Sequence, residues 1–214
     1  MTQFVKSIKV KVCGITDPVN MMEIAALQPD YLGFIFYPPS PRDVTDKIKD
    51  LPLDGLPINI RKVAVMLNQP VEEALKITKE FGFDLVQLHG TESPDYCKAL
   101  QKHLPVIKAF AVKDSLPENL GEYENCCDFF LFDTKAQKPG GTGLSFDHRL
   151  LLEYEGNTPF FLSGGIGPDY PNLSNPLHHH LLYALDVNSR FEIQPGIKDV
   201  KKLGNFMKKI RETD

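Results

Sequence analysis

The sequence predicts an α/β fold, a single-domain (β/α)8 or TIM barrel over residues 1–214, and three observations lead to it. Short apolar runs recur eight times, the stretches between them show helical spacing, and glycine-rich turns follow the sixth and seventh runs. Such runs, rich in β-branched and aromatic residues, indicate strands buried on both faces. Their separation leaves room for the crossover that parallel strands require.

The eight predicted strands come in chain order. They are IKVKV (8–12), YLGFIFY (31–37), VAVML (63–67), LVQLH (85–89), VIKAFAV (106–112), FFLF (129–132), PFFL (159–162) and YALDV (183–187). Apolar residues repeat at helical spacing in 71–81 and again in 200–210, which predicts amphipathic helices there. A doubly wound open sheet is the alternative that periodicity leaves open. No Gly-x-Gly-x-x-Gly follows the first strand, and this favours the barrel.

Composition narrows the class of protein. The chain is 42% hydrophobic and 24% charged with a net charge of -4, values of an ordinary globular protein that does not bind nucleic acid. Four cysteines without Cys-x-x-Cys spacing predict neither a disulfide framework nor a metal site, and we expect Cys97, Cys126 and Cys127 to be buried filler. The amino-terminal segment lacks a signal-peptide core, and no apolar run is long enough for a membrane. We therefore expect a cytoplasmic protein. The three consecutive histidines, His178–His180, lack ligand-like spacing and are expected in a loop or at a helix end.

The predicted strand ends carry the candidate functional groups. Barrel enzymes place their sites at the carboxyl ends of the strands, so the residues found there are expected to converge. They are Cys13, Arg42, His89, Asp133, Gly141, Gly143, Ser163, Gly164, Gly165, Asp186, Asn188 and Ser189. Singly, each has an ordinary explanation, such as Cys13 filling space or Asp133 capping a helix. Together, a thiol, a carboxylate, an arginine and a glycine turn suited to phosphate predict a site for a phosphorylated ligand.

Six segments carry a resemblance to a known family. KVCGIT, GFIFYPPSPR, VQLHG, LFDTKAQKPGGTG, FLSGGI and DVNSRFE…PGIKD span the chain and resemble phosphoribosylanthranilate isomerases, in the order of that family. The resemblance implies a single (β/α)8 barrel that needs no cofactor or metal. It implies conversion of N-(5-phosphoribosyl)anthranilate to 1-(2-carboxyphenylamino)-1-deoxyribulose 5-phosphate, an Amadori rearrangement in tryptophan biosynthesis.

The same resemblance implies roles for individual residues. Cys13 falls on the family's general base, Asp133 on its general acid and Arg42 on the arginine that binds the anthranilate carboxylate. A thiolate base should have a depressed pKa, and the acid must begin protonated, through burial or the charge of the phosphate. The phosphate would be bound by Gly164, Gly165, Asn188 and Ser189, the sugar hydroxyls by Asp186, and the rest of the site lined by His89, Gly141, Gly143 and Ser163.

One departure and several alternatives accompany this interpretation. Arg190 stands where the family commonly has glycine, and would either add a charge for the phosphate or point outward. Another phosphosugar barrel enzyme would need a lysine and a glutamate, or a metal-binding histidine and aspartate set, at the strand ends. A non-catalytic relative that binds phosphorylated ligands or a protein would need neither Cys13 nor Asp133. The oligomeric state, monomer or homodimer, stays open.

Overall fold

The computed structural model describes residues 8–134, 146–170 and 179–213. Eight parallel strands close into a barrel in chain order, which confirms the predicted fold class and rules out the open sheet. The strands are β1 (Lys9–Cys13), β2 (Tyr31–Phe36), β3 (Arg61–Met66), β4 (Leu85–Leu88), β5 (Val106–Val112), β6 (Phe129–Thr134), β7 (Phe160–Leu162) and β8 (Leu182–Val187). The barrel closes where β8 pairs with β1, with Lys11 opposite Asp186.

Four α-helices lie in these ranges: α1 (Pro18–Ala25), α2 (Val71–Glu80), α3 (Pro94–Gln101) and α4 (Val200–Thr213). Asp17 and Ser93 cap α1 and α3 by accepting backbone N–H bonds. After β2, β5 and β6 the described chain forms short 3-10 turns instead. Proline explains the first case, since five prolines stand between β2 and β3 and each removes a backbone donor. None of the helices in the described part of the chain combines the length and apolarity needed to cross a membrane.

A small antiparallel hairpin lies beyond β8 and was absent from the eight predicted strands. It consists of β9 (Glu192–Gln194) and β10 (Ile197–Lys198), joined at Gly196 with a φ of +88°. A 3-10 turn, Ser189–Phe191, leads into it from β8, and α4 follows it. Its two charged residues, Glu192 and Lys198, are buried.

Strand alternation decides which side chains enter the barrel. An inner apolar cluster is made of alternate strand residues: Cys13, Tyr31, Val63, Val65, Leu85, Ile107, Ala109, Leu131, Phe161 and Ala184. Successive strand residues point to opposite faces. Asp133 and Asp186, two residues beyond Leu131 and Ala184, therefore share the inward face. The other three cysteines are buried in the outer cluster between strands and helices, as expected of filler.

Candidate active site

The thiol of Cys13 lies inside the barrel at the end of β1, only 4% exposed. Its partner in register on β2 is Gly33. A Cβ placed on Gly33 would lie 2.8 Å from the Cys13 sulfur and 3.1 Å from the Lys11 ammonium nitrogen. Glycine at this position therefore leaves the space that the thiol and the ammonium group fill, and both groups face the same point.

Burial raises the pKa of the Cys13 thiol, although the ammonium groups of Lys11 and Lys198 act to lower it. The carboxylate of Asp186 adds to the rise. The expectation of a depressed pKa is therefore wrong for the protein by itself, because loss of water around the thiol outweighs two nearby cations. What the site supplies is the ammonium group of Lys11, together with Lys198, whose own pKa is lowered by burial, both placed to stabilise a thiolate once it forms.

Lys11 and Asp186 form a buried ion pair beside the thiol. The Lys11 nitrogen lies 2.9 Å from Asp186 Oδ1, with both side chains almost fully enclosed. Burial acts to lower the pKa of Lys11, but attraction to Asp186 and Cys13 outweighs it and the pKa is raised, so the lysine is charged. Burial raises the pKa of Asp186, Lys11 opposes this and Asp133 adds to it. Asp186 thus interacts with both Cys13 and Asp133.

Asp133 lies at the mouth near the end of β6 and faces His89. The distance between His89 Nε2 and Asp133 Oδ2 is 3.5 Å, and the side chains are 35% and 31% exposed. The Gln87 amide nitrogen lies 3.0 Å from His89 Nδ1. The Nδ1 atom of His89 therefore contacts Gln87, and its Nε2 atom faces Asp133. The Asp133 carboxyl group is thus only partly buried and opens to the mouth.

Arg42, in the loop after β2, is held within the protein by a carboxylate. Its Nε donates to Glu192 Oε1 at 2.8 Å and its Nη2 donates to Glu192 Oε2 at 2.5 Å. A Cβ placed on Gly14 would lie 2.7 Å from Arg42 Cδ and 2.9 Å from Asn188 Oδ1. Arg42 and Asn188 therefore flank the residue that follows Cys13. Arg42, which was predicted to bind the carboxylate of the substrate, therefore already binds the Glu192 carboxylate along one edge of its guanidinium group.

The glycine turn after β7 packs against the end of β6. Gly164 and Gly165 have φ angles of +82° and +72°, which favour glycine. A Cβ on Gly164 would overlap the Thr134 hydroxyl and lie 2.7 Å from the Thr134 backbone nitrogen. Ser163 opens this turn, and no helix begins in 163–170. Of the predicted residues, Gly141, Gly143 and His178 lie outside the described residues.

Arg190 lies beside the same turn, in the 3-10 turn that Ser189 opens. Its Cδ is 3.0 Å from the position of a Cβ on Gly167. Gln28 and Asn68 are the non-glycine residues of the described chain with a positive φ, so the backbone at Arg190 does not demand glycine. The predicted candidates Asn188 and Ser189 thus share this side of the mouth with a further cation.

Four further residues border the site without having been among the candidates: Lys11, Gln87, Glu192 and Lys198. A signal existed for Lys11 and Gln87, since each stands two residues before a candidate on a strand and must share its face. Glu192 and Lys198 lie within the SRFE…PGIKD segment, but nothing local shows that this segment folds back onto Arg42.

The fold and the mouth define a class of protein: a (β/α)8-barrel enzyme with acid–base groups and a glycine turn at the carboxyl ends of its strands. In residues 8–134, 146–170 and 179–213, no three His, Cys, Asp or Glu side chains are grouped as metal ligands.

Comparison with known proteins identifies the family. The family model of N-(5'-phosphoribosyl)anthranilate isomerase matches residues 10–209. The chain is 42% identical to the N-(5'-phosphoribosyl)anthranilate isomerase of Parabacteroides distasonis, over 94% of this chain and 92% of that protein. The chain belongs to this family of isomerases.

Two solved structures agree with this assignment. A phosphoribosyl anthranilate isomerase in complex with reduced 1-(o-carboxyphenylamino)-1-deoxyribulose 5-phosphate is similar at a TM-score of 0.80 and 29% identity, over 96% of this chain and 99% of that one. Mutually generated monomers of the dimeric phosphoribosylanthranilate isomerase of Thermotoga maritima give a TM-score of 0.80 and 28% identity, with the same coverage of 96% and 99%.

Proposed function

We propose that this protein converts N-(5-phosphoribosyl)anthranilate to 1-(2-carboxyphenylamino)-1-deoxyribulose 5-phosphate in tryptophan biosynthesis. One observation carries the proposal beyond family membership: the Cys13 thiol and the Asp133 carboxyl group occupy one barrel mouth, and Asp186 interacts with both. An Amadori rearrangement needs one group to give a proton and another to remove one, and this pair can do both.

Asp133 is the general acid of the first step. It donates its proton to the ring oxygen of the ribose as the bond between that oxygen and C1′ breaks, which leaves an iminium ion between C1′ and the anthranilate nitrogen. The Nε2 atom of His89 lies 3.5 Å from Asp133 Oδ2, and a proton on that nitrogen stabilises the carboxylate that forms.

Cys13 is the general base of the second step. As thiolate it removes the proton from C2′, and the electron pair of that C–H bond forms the double bond of an enolamine, neutralising the iminium nitrogen. The enolamine becomes the ketone when its C2′ hydroxyl loses a proton and C1′ gains one. Because the iminium charge makes the C2′ proton acidic, a thiolate stabilised by Lys11 and Lys198 suffices despite the raised pKa of Cys13.

The remaining candidates bind the substrate in this proposal. Arg42 binds the anthranilate carboxylate, and Asp186, paired with the Lys11 ammonium group, accepts hydrogen bonds from sugar hydroxyls. The phosphate is bound by Gly164 and Gly165 of the glycine turn and by Asn188 and Ser189 at the start of the 3-10 turn after β8. Arg190 lies nearby. His89, Gly141, Gly143 and Ser163 complete the lining.

A fluorescence assay tests the function. Freshly prepared phosphoribosylanthranilate should lose its fluorescence when the purified protein is added, and chelator should not change the rate, since the proposed reaction uses no metal or cofactor. A non-catalytic relative would bind the product analogue and leave the fluorescence unchanged. Another phosphosugar enzyme of this fold would leave this substrate untouched.

The proposal extends to the setting of the enzyme. It acts in the cytoplasm on a small molecule, without nucleic acid or membrane partners, as a monomer or a homodimer. The dimeric relative from Thermotoga maritima, also studied as monomers, supports both oligomeric states. Light scattering coupled to size-exclusion chromatography would give the mass in solution and decide between them.

A further inference from the structure

The hairpin of β9 and β10 directs a buried carboxylate at the site. The side chain of Glu192 is 5% exposed. Its oxygens accept hydrogen bonds from Arg42 Nε and Nη2, from the Lys198 ammonium at 2.7 Å and from the Gly196 backbone nitrogen at 3.0 Å. Glu192 has no part in the proton transfers described above, and Lys198 acts in them only through its charge near the Cys13 thiol.

The way Glu192 binds Arg42 leaves a defined part of the guanidinium group for a ligand. A guanidinium group has five N–H donors in one plane. Glu192 takes the edge formed by Nε and one N–H of Nη2. The other N–H of Nη2 and the two of Nη1 form the end of the group, an arrangement of donors that matches a second carboxylate through two parallel bonds.

We propose that Glu192 is a positioning residue that fixes Arg42 so that the end of its guanidinium group meets the aromatic carboxylate of the substrate. This inference rests on the proposed function, because it takes that carboxylate as the ligand of Arg42. Through Arg42, Glu192 sets the preference for a substrate that carries a carboxylate at this position.

Lys198 and Gly196 hold Glu192 in turn. The Lys198 nitrogen also donates to Asn188 Oδ1 at 2.7 Å, so one buried ammonium group links the carboxylate that orients Arg42 to the loop after β8. The hairpin therefore couples the predicted carboxylate end of the substrate site to its predicted phosphate end. A rigid connection of this kind keeps the two binding groups at a constant separation.

Stability alone does not account for this arrangement. Buried ion pairs give little or no net stability compared with apolar side chains of the same volume, because each charge loses its water. A carboxylate held by two cations and a backbone donor does, however, hold its partners in one geometry. That is the property a binding arginine requires.

The test compares two ligands. One is the reduced product analogue, 1-(o-carboxyphenylamino)-1-deoxyribulose 5-phosphate in reduced form, and the other is the same compound without its carboxylate. Calorimetry gives both dissociation constants for the wild type, Glu192→Gln, Arg42→Ala and the double variant. In Glu192→Gln, affinity for the carboxylate ligand should fall about tenfold, while affinity for the ligand without it changes less than about twofold.

Glu92→Gln is the matched control. Glu92 is equally buried and accepts from a lysine, Lys108, at 2.8 Å, but it does not contact Arg42. The same substitution there should leave the ratio of the two affinities at its wild-type value, whatever it does to thermal stability. If Glu192→Gln does not fold, Glu192→Asp replaces it, because aspartate keeps the negative charge beside Lys198. Its side chain is one methylene too short to make the same two bonds to Arg42, so it should also lower the affinity for the carboxylate ligand relative to the other ligand.

The outcomes separate this inference from the proposed function. Equal loss of affinity for both ligands in Glu192→Gln, or a loss that adds in full to that of Arg42→Ala, would show a purely structural role and overturn the inference alone. A wild-type protein that binds neither ligand would overturn the proposed function and this inference with it. Non-additive losses confined to the carboxylate ligand support positioning.

Discussion

Carboxylates stand at both ends of the barrel, and they do different work at each. At the amino-terminal end an aspartate directly precedes β2, β4 and β6, and each accepts a backbone N–H bond from the strand before. These bonds are Val10 to Asp30 at 2.9 Å, Lys62 to Asp84 at 2.7 Å and Val106 to Asp128 at 2.9 Å. At the mouth, Asp133, Asp186 and Glu192 bind charged or titratable side chains of distant strands and loops, although Asp133 and Glu192 each accept a local backbone N–H bond as well.

Stability and function therefore depend on carboxylates at opposite ends of this barrel. A carboxylate that accepts a backbone N–H bond secures the start of a strand, and an amino-terminal end of this kind is expected to contribute stability. A carboxylate that binds a lysine, an arginine or a histidine orients a side chain with further donors for a ligand. Substitutions at the two ends should therefore change different quantities.

The largest expected effect is that of Cys13→Ser at the mouth. A serine hydroxyl is too weak a base without an activating partner, so kcat should fall about 10²- to 10⁴-fold, the typical value of a general base. Binding of the reduced product analogue should stay nearly unchanged. Steady-state kinetics and calorimetry check both, and kcat within a few-fold of wild type would remove Cys13 from the mechanism.

Asp133→Asn and Asp128→Ala test the carboxylates at the two ends of the barrel separately. Asparagine cannot supply the proton for ring opening, so kcat should fall by about 10²-fold or more while the melting temperature stays near that of the wild type. Asp128→Ala removes the acceptor of the Val106 N–H and should lower the free energy of unfolding by about 1–3 kcal/mol with kcat unchanged. Denaturant titration and the fluorescence assay would show the reverse pattern if Asp133 only anchored its loop.

The dependence of kcat/KM on pH sharpens the contrast further. In the active form Cys13 has lost its proton and Asp133 has kept its own. The inactive form with the proton on Cys13 instead of Asp133 holds the same number of protons, so a change of pH does not alter the ratio of these two forms. The fraction of the active form stays constant until the second proton is also lost, so kcat/KM should not decline until the pH exceeds the ordinary thiol pKa of 9.0, because burial raises that of Cys13. Beyond that point we expect a decrease of about tenfold per pH unit.

Lys11→Met tests the cause of this decrease in kcat/KM at high pH, the alkaline limb of the pH profile. Lys11 is the strongest influence lowering the pKa of Cys13, so its removal should move the alkaline limb to higher pH and reduce kcat/KM on the plateau. The melting temperature of the variant serves as the control, since it shows whether leaving Asp186 without Lys11 destabilises the fold. A limb that begins well below pH 9.0 in the wild type would contradict the raised pKa.

The smallest effect is expected for Arg190→Gly, which restores the residue common in the family. Loss of an exposed charge near the phosphate should raise KM by at most about fivefold and leave kcat unchanged, and the difference should shrink as salt is added. Lys102→Gly, an exposed lysine at the end of α3, is the control at the opposite end of the barrel and should leave KM unaltered. An unchanged KM in Arg190→Gly would place the guanidinium outside the phosphate site.

Much of the fold and part of the site could be predicted from the sequence because they depend on local pattern. Apolar runs mark the eight strands, and Cys13, Asp133 and Asp186 were found because barrel residues at strand ends share one mouth. The hairpin of β9 and β10 escaped prediction, since its strands are three and two residues long and show no periodicity. The pKa of Cys13 was predicted in the wrong direction, because burial depends on neighbours from other strands.

Local sequence pattern encodes the repeat of strand, connection and strand, and with it the amino-terminal end of the barrel. There, bonding partners lie 20 to 22 residues apart, the length of one repeating unit. The partners at the mouth depend on the complete fold, since Arg42 binds Glu192 from 150 residues away and Lys11 binds Asp186 from 175. The physical reason is closure of the barrel: pairing of β8 with β1 joins the two ends of the chain, and no local pattern encodes which charged side chains then meet.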